Sequence, residues 1–261
     1  MSSRRYLDVP DIRNSFDQVG LENGDTVMLH CDAMVTAQFP PAPNAKRFDL
    51  LVDTLEEVLG EDGTLVLPTF TYSFTQGDVF DIRHSPSSVG AISEFFRTRS
   101  GVVRSSDPLF SVAAKGRHAA KFADSNNEDC FGKGSAFDLL LALDGKVLCL
   151  GCSLDRVTFV HYVEQRRGVD YRYLKRFSGE IIDLDGKRRF HTVRLYVRDL
   201  EKDSDVSLSK LRQRLVCAGL LKSAELGRVG IAAVGCGDFF RIAQSLLDED
   251  PTALIEEGKE K

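Results

Sequence analysis

Apolar residues recur along the chain with two different periods, which predict strands and helices in turn. Short continuous apolar runs, typical of strands buried on both faces, predict strands at 26–30, 64–70, 110–114, 146–150 and 229–234. Spacings of three and four predict helices at 10–20, 48–59, 89–98, 116–119, 137–143, around His161, 207–221 and 238–247. Asp185-Gly186 separates two alternating runs and predicts a β-hairpin.

The alternation of apolar strands with helices predicts the fold class. We expect an α/β fold with a mostly parallel or mixed central sheet, covered by helices on both faces. We expect a single domain over 1–261, with an antiparallel hairpin insertion at about 178–198 and a mobile tail at about 252–261. Ligands in such sheets bind beyond the carboxyl ends of the strands.

Composition narrows the classes of function. The chain has 261 residues, of which 43% are hydrophobic and 28% charged, and these values are ordinary for a globular protein. A net charge of −5 argues against nucleic acid as a partner. Since no apolar run approaches the roughly 20 residues of a membrane span, and the first residues lack an apolar signal core, we expect a cytoplasmic protein with no membrane contact.

The helix after Gly151 carries the strongest candidate for catalysis. Thr158, His161 and Glu164 follow one another at steps of three and therefore share one helix face. A carboxylate can orient an imidazole and stabilise its charged form, which suits a general base. A surface pair of no function has the same spacing. No His lies in a ligand spacing such as His-Glu-x-x-His, so we expect no metal.

The cysteines leave two readings open. Cys149-x-x-Cys152 has the spacing of a redox or zinc pair, but Cys149 lies in a strand pattern, which favours packing. Cys31, directly after His30, could be the nucleophile of an acyltransferase or hydrolase. Adjacent residues of a strand point to opposite faces, which argues against activation of Cys31 by His30.

Five segments, in order along the chain, resemble the aminoglycoside N3-acetyltransferase superfamily. They are Gly24-Asp-Thr-Val-Met-Leu-His30, Gly63-Thr-Leu-Val-Leu-Pro-Thr-Phe70, the stretch from Val103 to Gly116, Phe131-Gly-Lys-Gly-Ser-Ala136, and the stretch from Val147 to Glu164. The resemblance implies direct transfer of acetyl from acetyl-CoA to a primary amine, without a metal. It implies that His161 is the general base and that Glu164 orients it. Thr158, one turn before His161, is a candidate hydrogen-bond partner for the thioester oxygen or the amine.

The resemblance also implies contacts with the co-substrate. The loop His30-Cys31-Asp32-Ala33-Met34 matches the phosphate- and pantetheine-facing loop of the family, and backbone N–H groups there can hold a diphosphate. Thr69 and Phe70 match the segment beside the pantetheine arm. Arg104 and Ser105 are further candidates for phosphate contacts, and a plain surface cation is the competing reading of Arg104.

The chain departs from the drug-modifying members in ways that bear on the acceptor. It has His30-Cys-Asp-Ala33 in place of His-Ser-Ser-Leu, Asp107-Pro108 in place of His-Pro, and a shorter 70–85 loop. These departures argue against a polycationic aminoglycoside and leave amino-sugar nucleotides or similar amines. The basic run 165–176 suits an anionic acceptor or is a solvated face.

Two further alternatives remain open from the sequence. One is a non-catalytic CoA-binding protein that has kept the scaffold. The other concerns assembly: the hairpin near 178–198 could form a dimer contact, so we carry a homodimer as an expectation.

Overall fold

A seven-stranded mixed sheet is the centre of the computed structural model, which describes residues 6–202 and 204–256. The strands are β1 (Thr26–Cys31), β2 (Thr64–Pro68), β3 (Phe80–Asp81), β4 (Val103–Arg104), β5 (Val112–Gly116), β6 (Lys146–Leu150), β7 (Arg172–Ile182), β8 (Arg188–Arg198), β9 (Lys222–Leu226) and β10 (Val229–Gly235). The central order is β4-β5-β2-β1-β6-β10-β9, with β1 parallel to β2 and β6 and the other neighbours antiparallel. The predicted mixed α/β sheet is confirmed.

Helices connect the strands. They are α1 (Val9–Gln18), α2 (Asn44–Leu59), α3 (Ser73–Gln76), α4 (Ala91–Arg97), α5 (Ala119–Ala123), α6 (Ala136–Ala142), α7 (Phe159–Arg167), α8 (Ser209–Cys217) and α9 (Cys236–Glu249), with 3₁₀ helices at Ala33–Gln38 and Leu154–Arg156. Within the described ranges no helix is long and apolar enough to cross a membrane.

The side chains of the central sheet alternate between two apolar cores. Val27 and Leu29 of β1 pack with α1, α2 and α4, whereas Met28 packs with α5 to α9 and with the second sheet. This period of two is what strand geometry requires. Helices therefore cover both faces, as the sequence predicted, and the second face also carries the hairpin.

The hairpin of β7 and β8 forms a second sheet together with β3. It begins at Arg172, earlier than the predicted position 178, because cross-strand pairing continues from Ile182↔Arg188 to Arg172↔Arg198. The basic side chains at its start concealed the strand pattern. In the turn, the Asp183 carboxylate accepts from the backbone N–H groups of Asp185 and Lys187.

The end of the described chain is packed rather than free. Ala253, Leu254 and Ile255 are buried, and Ile255 forms a backbone bridge with Val206. A mobile tail therefore cannot begin at 252, and the remainder of the predicted tail, 257–261, lies outside the described residues.

The edge strand β9 was missed because its polar sequence, Lys-Ser-Ala-Glu-Leu, lacks an apolar run.

Candidate active site

The carboxyl ends of the parallel strands β1, β2 and β6 meet at one edge of the central sheet. The loop after β1 contacts the segment after β6, because the Asp32 N–H donates to the Leu150 carbonyl at 3.0 Å. The Cys152 thiol donates to the His30 carbonyl at 3.3 Å. This edge is where α/β sheets bind ligands, and the predicted loop, the segment after β2 and the start of the His161 helix all follow strands that end there.

Helix α7 places His161 and Glu164 one turn apart on the same face. The His161 Nδ1 lies 2.7 Å from Glu164 Oε2. The helix ends at Gly168, whose φ of 73° is in the left-handed region that glycine adopts freely. That turn sends the chain directly into β7, so that the first residues of the hairpin return to Glu164.

Glu164 is fully buried, with a side chain that is 0% exposed, and its carboxylate has three partners. Besides His161, it accepts a hydrogen bond from the Tyr171 hydroxyl at 3.1 Å, and the Arg172 Nε lies 2.7 Å from Oε2. The Arg172 Nε–H does not point at that oxygen, so the contact is ionic. Burial and the Glu164 charge raise the pKa of Tyr171, which keeps its hydroxyl a donor. These contacts hold the carboxylate in one position.

The contact with Glu164 fixes the roles of the two imidazole nitrogens. An ionised carboxylate can only accept a hydrogen bond, so we assign the ring proton to Nδ1. The His161 Nε2 is then a lone-pair acceptor. The side chain is 21% exposed, so a ligand can reach it. An imidazole held by a carboxylate in this way is chemically able to act as a general base.

A row of aromatic rings connects His161 to the segment after β2. The Phe131 ring centroid lies 5.4 Å from that of His161 and 4.8 Å from that of Phe110. Phe110 lies 4.7 Å from Phe70, and 5.5 Å from the partly exposed Tyr72. The structure thus brings Phe70 and His161 to one apolar wall.

Thr158 is the residue before α7 and is half-buried. Its carbonyl accepts from the His161 backbone N–H at 3.0 Å. Its side chain makes no capping bond to the helix. The hydroxyl is therefore available for a ligand one turn before His161.

Thr69, Arg104 and Ser105 belong to a buried polar network. The Arg104 guanidinium donates to the carbonyls of Thr69 at 2.7 Å and Ser85 at 2.6 Å, and to the Ser111 hydroxyl at 3.2 Å. Ser105 Oγ accepts from the Val112 N–H at 2.9 Å. Burial lowers the pKa of Arg104 to about 10. This arginine is already committed to protein acceptors, and it holds the loop before α4 against the strand ends.

The loop after β1 has two exposed positions, Asp32 and Met34, beside several constrained ones. Asp32 accepts from the Met34 N–H at 2.9 Å and thereby starts the 3₁₀ helix, with Ala33 as its first residue. Met34 is 72% exposed. His30 is buried, its Nε2 has no hydrogen-bond partner within the described residues, and burial lowers its pKa to about 4.

The sulfur atoms near this edge are thiols, and among the described residues no three His, Cys, Asp or Glu side chains converge as a metal site. Cys149 is buried in the strand, and its neighbouring thiol lowers the pKa of Cys152. Burial raises the pKa of Cys31, and the neighbouring Cys152 and Asp32 raise it further.

Sequence reasoning missed Phe131, Tyr171 and Arg172. Tyr171 and Arg172 lie within the basic run that was expected to suit an anionic acceptor or to form a solvated face, yet both are buried on Glu164. The glycine at the end of α7 was the available signal, because a left-handed turn there folds the following residues back over the helix.

The sequence of the chain matches a known protein family. The model of the aminoglycoside 3-N-acetyltransferase family matches residues 28–248, so the chain belongs to that family. Aminoglycoside N(3)-acetyltransferase III of Pseudomonas aeruginosa is 26% identical, over 90% of this chain and 91% of that protein.

Two solved structures share the fold. AAC-IIIb, in a binary complex with CoASH, has a TM-score of 0.79 and 20% identity, over 98% of this chain and 100% of that chain. AAC-VIa bound to sisomicin has a TM-score of 0.79 and 22% identity, over 94% and 98%. The predicted family and N-acetyltransferase class are confirmed, and acetyl-CoA is the co-substrate of this family.

Proposed function

We propose that the protein transfers acetyl from acetyl-CoA directly to a primary amine, with His161 as general base. The hydrogen bond of 2.7 Å between His161 Nδ1 and the buried Glu164 carries the proposal. It leaves Nε2 as the nitrogen that accepts the proton of the amine. Family membership supports the transfer reaction, and a direct mechanism needs no residue beyond those at the sheet edge.

The chemistry explains why a base is required. An alkylammonium group has no lone pair with which to attack a thioester, so it must lose a proton first. His161 takes that proton at Nε2, and the Glu164 carboxylate stabilises the resulting imidazolium. Acetyl-CoA supplies the acyl thioester. The Thr158 hydroxyl, which makes no helix cap, is placed to bond the thioester oxygen or the amine.

The lining of the edge fits a CoA thioester only in part. The buried rings of Phe70, Phe110 and Phe131 exclude water from one side of His161, and the partly exposed Tyr72 at the end of the row is the ring that the uncharged pantetheine arm can reach. The loop His30–Met34 offers backbone groups and the exposed Met34. Arg104 and Ser105 are engaged by the protein, so we assign them to the framework and not to phosphate binding.

The environment of Cys31 disfavours the alternative mechanism, in which this thiol is the nucleophile. Burial raises the pKa of this thiol, which disfavours the thiolate that would attack. Cys31 packs towards one core, whereas Met28, of the same strand parity as His30, packs in the other. His30 therefore cannot act as its base, and direct transfer is the better-supported mechanism.

The variant His161→Ala tests the proposal. We expect turnover to fall at least about a hundredfold, the lower range of general-base effects. Release of CoA is measured with a thiol reagent in the presence of acetyl-CoA and a panel of amines that includes aminoglycosides and amino sugars. Thermal unfolding checks that the variant is folded.

His84→Ala is a matched control. His84 forms the same type of i, i+3 contact, Nδ1 to Asp81 Oδ2 at 3.0 Å, but its side chain is 79% exposed. It should keep wild-type turnover. Near-normal rates in His161→Ala would remove His161 from the mechanism, and an acetylated Cys31 found by mass spectrometry would replace it with the cysteine route.

A further inference from the structure

Three carboxylates around helix α7 already have partners within the protein. Asp129 accepts from Gln165 Nε2 at 2.9 Å and pairs with Arg194 at 3.1 Å. Asp138 accepts from the Tyr162 hydroxyl at 2.7 Å, and Glu164 is held by His161, Tyr171 and Arg172. A polycationic acceptor needs free carboxylates near the base, and this surrounding offers few.

One face of the hairpin continues outward from the base. Residues paired directly across β7 and β8 lie on the same face, so Arg172, Arg176 and Arg194 share a face. Arg172 contacts Glu164 at its inner end. Arg176 lies four residues farther along β7, about 13 Å away at the rise of a strand.

Arg176 and Arg194 form a like-charged pair directly opposite each other. Such a pair is unfavourable unless an anion lies between the two guanidinium groups. Arg194 shares its charge with Asp129, whereas the guanidinium group of Arg176 has neither an ion pair nor a hydrogen bond in the described parts of the chain. No carboxylate of the described residues therefore balances the charge of Arg176.

A cavity of about 470 Å³ lies over this face. Beyond the arginine pair come the Ser178 and Thr192 hydroxyls, 2.8 Å apart, and then Phe190, which is 75% exposed. Glu128 also lines the cavity, and Glu180, opposite Phe190 in the register and paired with Arg188, adds a second carboxylate at the outer end of the face. The order from the base outward is two guanidinium groups, two hydroxyls and an uncovered aromatic ring.

We propose that this face, the arginine face of Arg176, Arg194, Thr192 and Phe190, binds a phosphate group of the acceptor, so that the substrate is a phosphate-bearing primary amine. The proposal rests on the proposed function and names its acceptor class. Arg176 and Arg194 hold the phosphate. The Phe190 ring is placed to stack on a planar group such as a nucleobase if the phosphate carries one.

Matched acceptors test the proposal. Glucosamine and glucosamine 6-phosphate differ by one phosphate, and the wild type should show a higher kcat/KM for the phosphorylated sugar, with a preference that weakens as salt is added. In Arg176→Ala, the ratio of the two kcat/KM values should fall about tenfold, the size of one charge-assisted hydrogen bond. Arg189→Ala, which removes an exposed cation from the opposite face of the same hairpin, should leave the ratio unchanged.

A binding arm separates this proposal from the transfer reaction. Titration with UDP and with inorganic pyrophosphate, at saturating CoA so that the diphosphate site of the co-substrate is filled, needs no turnover: the wild type should bind both, and Arg176→Glu should bind neither. Tighter binding of UDP than of pyrophosphate would assign a base to Phe190. A wild type that acetylates both sugars equally well, or that binds neither probe, overturns the arginine face. A wild type that binds both probes but releases no CoA with any amine contradicts the proposed function and leaves the binding face standing.

Discussion

Single residues hold the proposed base in place, and Glu164 makes the largest number of these contacts. Its carboxylate is the only atom group that touches His161, Tyr171 and Arg172 together in the described structure. The spacing of His161 and Glu164 was predictable because a helix places i and i+3 on one face. The contact with Arg172 was not, because it depends on a turn and a strand that bring distant side chains over the helix.

Replacing Glu164 by Gln should lower kcat about 10- to 100-fold, with little change in the KM for acetyl-CoA, because in the proposed mechanism Glu164 positions His161 and its fully buried carboxylate is out of reach of the co-substrate. Removal of the charge leaves Arg172 buried and unpaired, which by itself costs about 3–5 kcal/mol. The double variant Glu164→Gln/Arg172→Gln should recover most of that stability but not kcat. Steady-state kinetics with denaturant unfolding checks both. A double variant with restored kcat would contradict the role of Glu164.

At the scale of elements, the sequence predicted the strands that carry continuous apolar runs and failed where strands are polar. The strands β1, β2 and β6 were evident from their apolar residues, whereas β9 and the first half of β7 were not. Those two strands are exposed on one side, so their pattern lacks the signal that burial creates. The apolar strand β6 made the helix of His161 easy to place, whereas the polar hairpin strands that carry the arginine face gave no such signal.

The hairpin is held to the remainder of the molecule by a close contact. A Cβ at Gly179 would lie 2.8 Å from two ring atoms of Phe74 in α3. We therefore expect Gly179→Ala to destabilise the protein by about 1–3 kcal/mol, as overpacking does. Gly230→Ala is the control, since a Cβ there meets nothing within 4 Å. Urea unfolding of both variants measures the difference, and equal stabilities would show that Phe74 yields without cost.

At the scale of the whole molecule, the chain order of strands and helices determined the fold class and the expectation of a site beyond the strand ends, but not which strand ends meet. The edge where β1, β2 and β6 end follows from their parallel pairing, which brings together residues more than a hundred positions apart. Sequence order alone does not state which strands are neighbours. His30, buried at this edge, makes the stability of the whole fold depend on pH.

The protein should lose stability in mild acid because of His30. Burial lowers the pKa of His30 from 6.5 to about 4 in the folded state. Between these values the unfolded chain binds the proton and the folded chain does not, so stability is complete above about pH 6.5 and falls as the pH drops towards 4. The expected loss between pH 7.5 and pH 5 is about 2 kcal/mol.

Urea unfolding at the two pH values, for the wild type, His30→Leu and His84→Leu, isolates this contribution. His30→Leu should lose most of the pH dependence, whereas His84→Leu, which alters a largely exposed imidazole, should keep it. The carboxylates with lowered pKa, such as Asp250 at about 2, stay ionised at pH 5 and do not obscure the effect. A His30→Leu variant with the same slope as the wild type would mean that His30 is protonated, and therefore solvated or paired, in the folded protein.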